Sequence, residues 1–250
     1  MRYLILSDIH ANFEALAAVL KHACGRYDKL LCLGDLVGYG ADPNEVLEWA
    51  RDVIETDGAQ MIRGNHDKAC CGLDSIEHFN PAAQASSIWT AETLTGENLE
   101  FLREMTMGPL DAGGFDLVHG APSDEDEYII TTHDAAGMRK HLRAAVTFFG
   151  HTHVQGGFFF RRAAVKVIDK VPPQWQELTI SIDDQSSFLI NPGSVGQPRD
   201  GDWRAAYAVY ESDDRMVTYY RVEYDAQETR RRMREVGLPA ILGDRLLVGK

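Results

Sequence analysis

The sequence predicts an α/β fold in which two β-sheets pack against each other and are flanked by helices. Up to about residue 65, short apolar runs alternate with segments of helical spacing, the pattern of parallel strands joined by crossover helices. After Gly150, short β-prone runs separated by turn residues indicate an antiparallel arrangement. Because no internal repeat, low-complexity tract or linker separates the two halves, we interpret them as two layers of a single domain, residues 1–250.

The N-terminal strands are predicted at the apolar runs of residues 3–7, 29–33 and 60–63. Asn12 is the expected cap of the first helix, because its side-chain oxygen can accept a hydrogen bond from a free N–H group of the first turn. The apolar positions of this helix that we expect to face a core are Phe13, Leu16, Ala17 and Leu20. Pro43 is expected to begin the second helix, since proline suits the first helical position.

Further along the chain, residues 80–107 favour helices and residues 115–118 a strand, and Thr132 is a candidate cap for a helix over residues 135–142. Six β-prone runs follow, at residues 158–160, 165–167, 178–180, 188–190, 206–210 and 217–220. A last helix is predicted after Asp225, and it carries the basic run Arg230, Arg231, Arg232 and Arg234. We interpret this run as a solvated face with a Glu228–Arg232 pair, rather than as a nucleic-acid patch.

Charge and hydropathy argue against several classes of function. The chain has 25 basic and 38 acidic residues, and its net charge of −13 would repel a long phosphate backbone, so long nucleic acid is not an expected partner. No apolar run reaches the roughly 18 to 20 residues needed to cross a bilayer, and Asp8 comes too early for a secretory leader. We therefore expect a cytoplasmic protein without a membrane partner, and leave homo-oligomerisation open.

All four cysteines lie in the first third of the chain, and no two of them have CxxC spacing. We interpret Cys24, Cys32, Cys70 and Cys71 as reduced residues that pack in the interior. The sequence assigns no role to the adjacent pair Cys70 and Cys71.

Residues that can bind metals follow four of the predicted strands and one loop. They are Asp8, His10, Asp35, Asn65, His66, Asp67, His119, His151 and His153. In extended backbone, residues i and i+2 point the same way, so Asp8 with His10, and His151 with His153, would each offer two ligands to one cavity. Imidazole, carboxylate and amide groups without thiolate suit Mn²⁺, Fe, Co²⁺, Ni²⁺ or Zn²⁺ better than Ca²⁺ or Mg²⁺. Without His66 and Asp67, this set has three carboxylate or amide groups and four histidines, which are too many for one ion. Two ions about 3.5 to 4 Å apart that share Asp35 would use all seven.

Five short segments, in this order, resemble the five motifs of the calcineurin-like metallophosphoesterase superfamily. They are Asp8-Ile9-His10, Gly34-Asp35-Leu36-Val37, Gly64-Asn65-His66-Asp67, Val118-His119-Gly120 and Gly150-His151-Thr152-His153. The similarity spans roughly residues 3–155, and Asn191-Pro192-Gly193-Ser194 extends it, since the small prokaryotic phosphodiesterase branch has a similar segment. The resemblance implies a four-layer α/β/β/α sandwich.

Carried over motif by motif, the resemblance also implies the ligands of two metals. The first would be bound by Asp8, His10, Asp35 and His153, and the second by Asp35, Asn65, His119 and His151. His66 would contact the phosphate and assist the leaving oxygen, and Asp67 would orient His66 or a neighbouring backbone group. The mechanism that we infer is hydrolysis by a hydroxide that bridges the two cations and attacks phosphorus in line.

The loop after the second strand bears on the substrate. Protein phosphatases of the superfamily usually have Asp-Arg where this chain has Gly38-Tyr39, which disfavours phosphoproteins. Residues 38–44 instead resemble bacterial proteins described as phosphodiesterases or as diadenosine tetraphosphatase-like. Tyr39 would stack on a base or, as the alternative, pack on its own surface loop. Arg199 would grip the phosphate or form an ordinary surface salt bridge.

The expected function is thus hydrolysis of a small phosphodiester or nucleotide. Three alternatives are kept: a non-catalytic protein-binding scaffold on the same fold, a nuclease, and a phosphoprotein phosphatase. The complete set of ligands and the intact His66 argue against the scaffold, and the net charge of −13 argues against long DNA.

Overall fold

In the computed structural model, which describes residues 1–250, twelve strands form two sheets, and eight α-helices surround them. The strands are β1 (Arg2–Leu6), β2 (Lys29–Cys32), β3 (Gln60–Met61), β4 (Leu110–Asp111), β5 (Asp116–Leu117), β6 (Val146–Phe148), β7 (Gly156–Arg161), β8 (Ala164–Ile168), β9 (Glu177–Ser181), β10 (Ser186–Asn191), β11 (Ala205–Glu211) and β12 (Met216–Val222). The helices are α1 (Phe13–Ala23), α2 (Pro43–Asp57), α3 (Asn65–Cys70), α4 (Pro81–Thr93), α5 (Gly96–Glu104), α6 (Thr132–Met138), α7 (Ala226–Glu235) and α8 (Ala240–Leu246), with a 3₁₀ turn at Arg139–His141. None of the helices has both the length and the hydropathy that a membrane crossing requires.

The strand order is β3-β2-β1-β11-β12-β9 in the first sheet and β4-β5-β6-β10-β7-β8 in the second. Strands β1 to β3 are parallel, as predicted. Each sheet takes three strands from before residue 150 and three from after it, so the expectation that each half of the chain forms one layer is wrong. The reason is that β1 and β6 are interior strands that form hydrogen bonds to a neighbouring strand on each side. Strand β1 pairs with β11 as well as β2, and β6 pairs with β10 as well as β5.

Alternate residues of the strands face different apolar layers. In β1, Tyr3 and Ile5 face the core between the two sheets, whereas Leu4 and Leu6 face the core under α1 and α2. On the outer side of the second sheet, Leu189 packs in a third cluster that includes residues of α6. The layers are therefore helix, sheet, sheet and helix, which confirms the predicted fold class.

Two helix predictions need correction. Asn12 caps α1 as expected, by accepting from the Ala15 N–H group at 3.1 Å, but the buried positions are Ala15, Leu16, Val19 and Ala23, and Ala17 is exposed. Apolar residues cover most of the circumference of this helix, so their spacing alone does not select a face. Helix α6 is capped by Thr131 rather than Thr132, because Thr131 and Asp134 form a reciprocal capping box. It ends at Met138, and the predicted extension to residue 142 is a 3₁₀ turn at Arg139–His141.

Two predictions about side chains also change. Cys32, Cys70 and Cys71 are buried, but Cys24 is exposed, so the packing interpretation is wrong for Cys24. In α7, Arg232 contacts Glu14 and Asp42 instead of Glu228, because these carboxylates lie within reach on neighbouring elements. Glu228 pairs with Arg231. Arg230 and Arg234 both pair with Asp244, so all four arginines of the basic run contact carboxylates.

Candidate metal centre

The candidate site lies where strands of both sheets end. Asp8 follows β1, Asp35 follows β2, and His151 follows β6. The φ angles are 53° at Asp8, 50° at His10, 54° at Asp35, 63° at His151 and 58° at His153, a left-handed conformation that non-glycine residues seldom adopt. The predicted reason for pairing Asp8 with His10, and His151 with His153, is therefore wrong, because these four residues have left-handed and not extended backbone. His151 and His153 also belong to different groups of candidate ligands.

The structure gathers the predicted ligands into two overlapping groups. The first comprises Asp8, His10, Asp35 and His153, and the second Asp35, His119 and His151. All of these residues are buried, and within each group the candidate ligand atoms lie within 4.8 Å of one another. Asn65 adjoins the second group, since its Oδ1 atom is 3.2 Å from His119 Nε2. Asp35 is common to both groups, so the arrangement has room for a shared carboxylate between two binding positions.

The first group has the hydrogen bonding that a cation site needs. His10 Nδ1 donates to the Val37 carbonyl at 3.0 Å, and His153 Nδ1 donates to the Gln197 carbonyl at 2.6 Å. A neutral imidazole that donates from Nδ1 has its lone pair on Nε2, and these two Nε2 atoms face each other at 3.0 Å. Asp8 Oδ2 and Asp35 Oδ2 are also buried without a hydrogen-bond partner. Inward lone pairs and unpaired carboxylate oxygens fit a bound metal ion.

In the second group, the two histidines present different nitrogens. His119 Nδ1 donates to the Leu33 carbonyl at 2.8 Å, which directs Nε2 toward Asp35 Oδ2 at 3.3 Å. His151 Nε2 lies 3.1 Å from the Asp126 carbonyl, so Nδ1 is the nitrogen left for a ligand bond. Burial lowers the pKa of His119, but the Asp35 carboxylate outweighs this and raises the pKa to about 10. The negative charge of Asp35 therefore favours a positive charge beside it, which fits a cation site.

The two groups of candidate ligands lie in a part of the chain that matches a known protein family. The family model of the calcineurin-like phosphoesterase superfamily domain matches residues 1–215. The chain belongs to this superfamily. Family membership and the buried Asp/His cluster together support a phosphoesterase that uses divalent metal ions.

This chain is similar to other proteins over nearly its full length. It is 33% identical over 252 residues to an uncharacterised protein of Methanocaldococcus jannaschii, with 98% of this chain and 97% of that protein covered. A crystal structure of a metallophosphoesterase from Sphaerobacter thermophilus is similar with a TM-score of 0.84 and 39% identity, covering 100% of this chain and 99% of that one. A hypothetical protein from Pyrococcus horikoshii shares the fold, with a TM-score of 0.79, 21% identity, and 100% and 98% of the two chains covered.

His66 of this phosphoesterase lies beside the metal-binding groups and not within them. Its main-chain N–H donates to Asp35 Oδ1 at 2.8 Å, and its ring packs between Tyr39 and Phe79, with centroid distances of 4.3 and 4.6 Å. Burial lowers the pKa of His66 to about 4, so the imidazole is neutral near pH 7. Gly38 leaves room for this ring, because a Cβ atom at position 38 would lie 2.6 Å from His66 Nδ1.

The Asp67 side chain forms hydrogen bonds with main-chain N–H groups and none with the His66 ring. Its carboxylate accepts from the main-chain N–H groups of Asp35 at 2.8 Å, Val37 at 3.1 Å and Gly64 at 2.9 Å. These bonds tie the loop after β2 to the start of α3, and so fix Asp35 relative to Asn65. Of the two roles expected for Asp67, the geometry supports orientation of the backbone.

Tyr39 and Arg199 lie together at the site. Tyr39 is buried, not on the surface as its alternative role would require, and its ring centroid is 4.7 Å from that of His10. The Arg199 guanidinium lies over the Tyr39 ring, 5.6 Å from the centroid, and donates to Gln197 Oε1 at 2.8 Å. Arg199 forms no salt bridge, so the ordinary ion pair considered for it is absent.

Tyr128 is a site residue that the sequence motifs do not include. Its ring centroid is 3.8 Å from that of His151, and 47% of the residue is exposed. It lies in the loop between His119 and α6, which also provides the Asp126 carbonyl for His151. An exposed aromatic ring stacked on a metal-site histidine can contact a substrate, but Tyr128 falls outside the five motifs and no local pattern marks it.

Proposed function

We propose that this protein hydrolyses small phosphodiesters or nucleotides, and that it does so with two divalent cations. The observation that carries the proposal is the position of Asp35, whose carboxylate belongs to both buried groups of candidate ligands. One cation would be held by Asp8, His10, Asp35 and His153, and the other by Asp35, Asn65, His119 and His151. The donor set of imidazole, carboxylate and amide favours Mn²⁺, Fe, Co²⁺, Ni²⁺ or Zn²⁺.

When bound, such a pair supplies an activated water and positive charge at the transferring phosphoryl group. The chain's own contribution is positioning. Val37, Gln197 and Leu33 hold His10, His153 and His119 through their carbonyl groups, which fixes both the tautomer and the orientation of each ring. Asp67 fixes the backbone of Asp35 in the same way.

His66 is proposed to interact with the leaving oxygen. It is adjacent to the ligand cluster, with its ring centroid 5.0 Å from that of His10, but it belongs to neither group of candidate ligands. A neutral imidazole can donate one hydrogen bond to an oxygen that gains charge as its bond to phosphorus breaks. The rings of Tyr39 and Phe79 hold it in place.

A small substrate is favoured over a polymer by charge. The net charge of −13 opposes a long polyanion, whereas the Arg199 guanidinium lies beside the site, over the Tyr39 ring, and its side-chain hydrogen bonds go to the neutral Gln197. Guanidinium groups bind phosphate oxygens with two parallel hydrogen bonds.

The test is hydrolysis of bis-p-nitrophenyl phosphate by the purified full chain after loading with Mn²⁺, Ni²⁺ or Fe²⁺, with a chelator-treated sample as the control. We expect metal-dependent release of p-nitrophenol. Inactivity with all three metals would contradict the proposal and favour the binding scaffold. Single-stranded DNA and a phosphopeptide in the same assay distinguish a nuclease and a phosphoprotein phosphatase from an enzyme of small substrates.

A further inference from the structure

Two arginines share one neutral acceptor at the edge of the candidate metal centre. Arg199 donates to Gln197 Oε1 from Nη2 at 2.8 Å and from Nε at 3.3 Å, and Arg245 donates to the same oxygen from Nη1 at 3.4 Å. The main-chain oxygen of Gln197 accepts from His153 Nδ1 at 2.6 Å. The guanidinium pair is therefore attached to a residue that directly supports one of the candidate ligands.

Neither guanidinium contacts a side-chain carboxylate. The other contact of Arg245 is to an oxygen of Lys250, the last residue of the sequence, at 2.6 Å. The neighbouring Asp244 is already paired with Arg230 and Arg234. Burial, and then the charge of Arg199, lower the pKa of Arg245. In a chain with a net charge of −13, two adjacent cations that form no ion pair with an aspartate or glutamate are an arrangement that a bound anion would stabilise.

The C-terminal helices bring Arg245 to this place. Leu242 and Leu246 of α8 pack in one apolar cluster with Tyr39, whose ring also contacts His10 and Arg199. Arg245 lies beyond residues 1–215, the part of the chain that the superfamily model matches. The second guanidinium is thus supplied by a part of the chain outside the matched domain.

We propose that Arg199 and Arg245 together bind a second anionic group of the substrate, an unreacting phosphate linked to the phosphoryl group that is hydrolysed. The inference rests on the proposed function and narrows its preferred substrates to compounds that carry at least two linked phosphates, with bis-p-nitrophenyl phosphate serving only as a general test substrate. Gln197 Oε1 holds both guanidiniums near each other before substrate binds, which lowers the entropic cost of ordering two long side chains. Each can then make charge-assisted hydrogen bonds to phosphate oxygens.

The experiment compares methylenediphosphonate, which carries two linked anionic groups, with methylphosphonate, which carries one. Binding of each probe to the Mn²⁺-loaded protein is measured by calorimetry at a fixed concentration of free Mn²⁺. Arg245→Gln is expected to weaken the diphosphonate about tenfold or more, because a charge-assisted contact is lost, and to change methylphosphonate binding much less. Arg245→Lys is expected to fall between Arg245→Gln and the wild type, since it keeps the charge but loses the fork geometry.

The matched control is Arg139→Gln, an exposed arginine of the 3₁₀ turn, and both dissociation constants are expected to stay unchanged in it. Equal effects on the two probes, or no effect on either, would overturn the inference. If thermal unfolding shows that Arg245→Gln does not fold, Arg245→Lys takes its place. The inference then requires that Arg245→Lys weaken the binding of methylenediphosphonate more than that of methylphosphonate. Because binding is measured without turnover, failure here is distinguishable from failure of the proposed function, which is judged from hydrolysis of bis-p-nitrophenyl phosphate by the wild-type chain.

Discussion

The Nε2 atoms of His10 and His153 lie 3.0 Å apart in the interior of the protein. In each ring the Nδ1–H group donates a hydrogen bond to a carbonyl oxygen, so each Nε2 carries a lone pair in the neutral form. Burial lowers the pKa of both histidines well below the usual value, which keeps both rings neutral. Two facing lone pairs repel unless a cation lies between them, and this contact is the strongest local sign of a metal site.

Metal binding is therefore expected to stabilise the fold. At a free metal concentration 100 times the dissociation constant, a single site contributes about 2.7 kcal/mol to the free energy of unfolding. Thermal unfolding of chelator-treated protein, with and without Mn²⁺, measures this as a rise in Tm. His10→Ala is expected to reduce the rise, whereas His22→Ala, at a histidine that bonds to the Tyr207 hydroxyl, should retain it. An unchanged Tm in the wild type would contradict the prediction.

His66→Ala is expected to separate turnover from metal binding. The variant should retain the metal content of the wild type, because His66 belongs to neither ligand group, and lose about 10²-fold to 10⁴-fold in kcat. Metal analysis and steady-state hydrolysis of bis-p-nitrophenyl phosphate check the two parts. Normal kcat in a fully loaded variant would rule out the role of His66 at the leaving oxygen.

Asp67→Ala is expected to destabilise the protein by about 3 kcal/mol or more, because three buried N–H groups lose their acceptor. Asp67→Asn is the matched variant. Its one oxygen can replace Asp67 Oδ2, which accepts from Asp35 and Gly64, so a smaller loss is expected. Urea unfolding gives both values, and metal content reports whether Asp35 is still positioned. Equal stability of Asp67→Ala and wild type would show that these bonds carry little free energy.

Asp42 predicts a pH dependence of stability. Burial, reinforced by Glu14, raises the pKa of Asp42 to about 7 against the attraction of Arg232. An exposed aspartate loses its proton near pH 4, so between about pH 4 and pH 7 the unfolded chain binds fewer protons than the folded one. The contribution of Asp42 to the free energy of unfolding thus falls as pH rises through this window.

Asp42→Asn is expected to remove that part of the slope, which urea unfolding at pH 5, 6, 7 and 8 measures. Asp52→Asn, at an exposed position of α2, is the control and should keep the slope of the wild type. A slope that is the same in Asp42→Asn would contradict the raised pKa of Asp42.

Local sequence patterns predict where the strands and helices of this fold lie better than they predict which strands pair with each other. The run at residues 3–7 is apolar enough to indicate a buried strand, and the rule that functional groups gather where parallel strands end correctly brings Asp8 and Asp35 together. The pairing of β1 with β11 is not predictable in this way, because it joins residues about 200 positions apart and leaves no local signal. The interleaving of the two halves follows from such pairings.

The surroundings of the site show the same limit. The motifs include every member of the two ligand groups, since spacing and residue type carry that information. They do not reveal that Tyr39 is buried, because α8 covers it, or that Arg232 reaches Asp42 and Glu14. These contacts depend on tertiary packing of distant segments, as does the position of Tyr128 on His151.

The most direct test of the proposed two-cation centre is a titration of chelator-treated protein with Mn²⁺, followed by electron paramagnetic resonance and metal analysis. We expect two Mn²⁺ ions per chain and the signature of a spin-coupled pair, and expect Asp35→Asn to lose that coupling because the carboxylate common to both groups is gone. One Mn²⁺ per wild-type chain, with an uncoupled spectrum that Asp35→Asn leaves unchanged, would contradict the account.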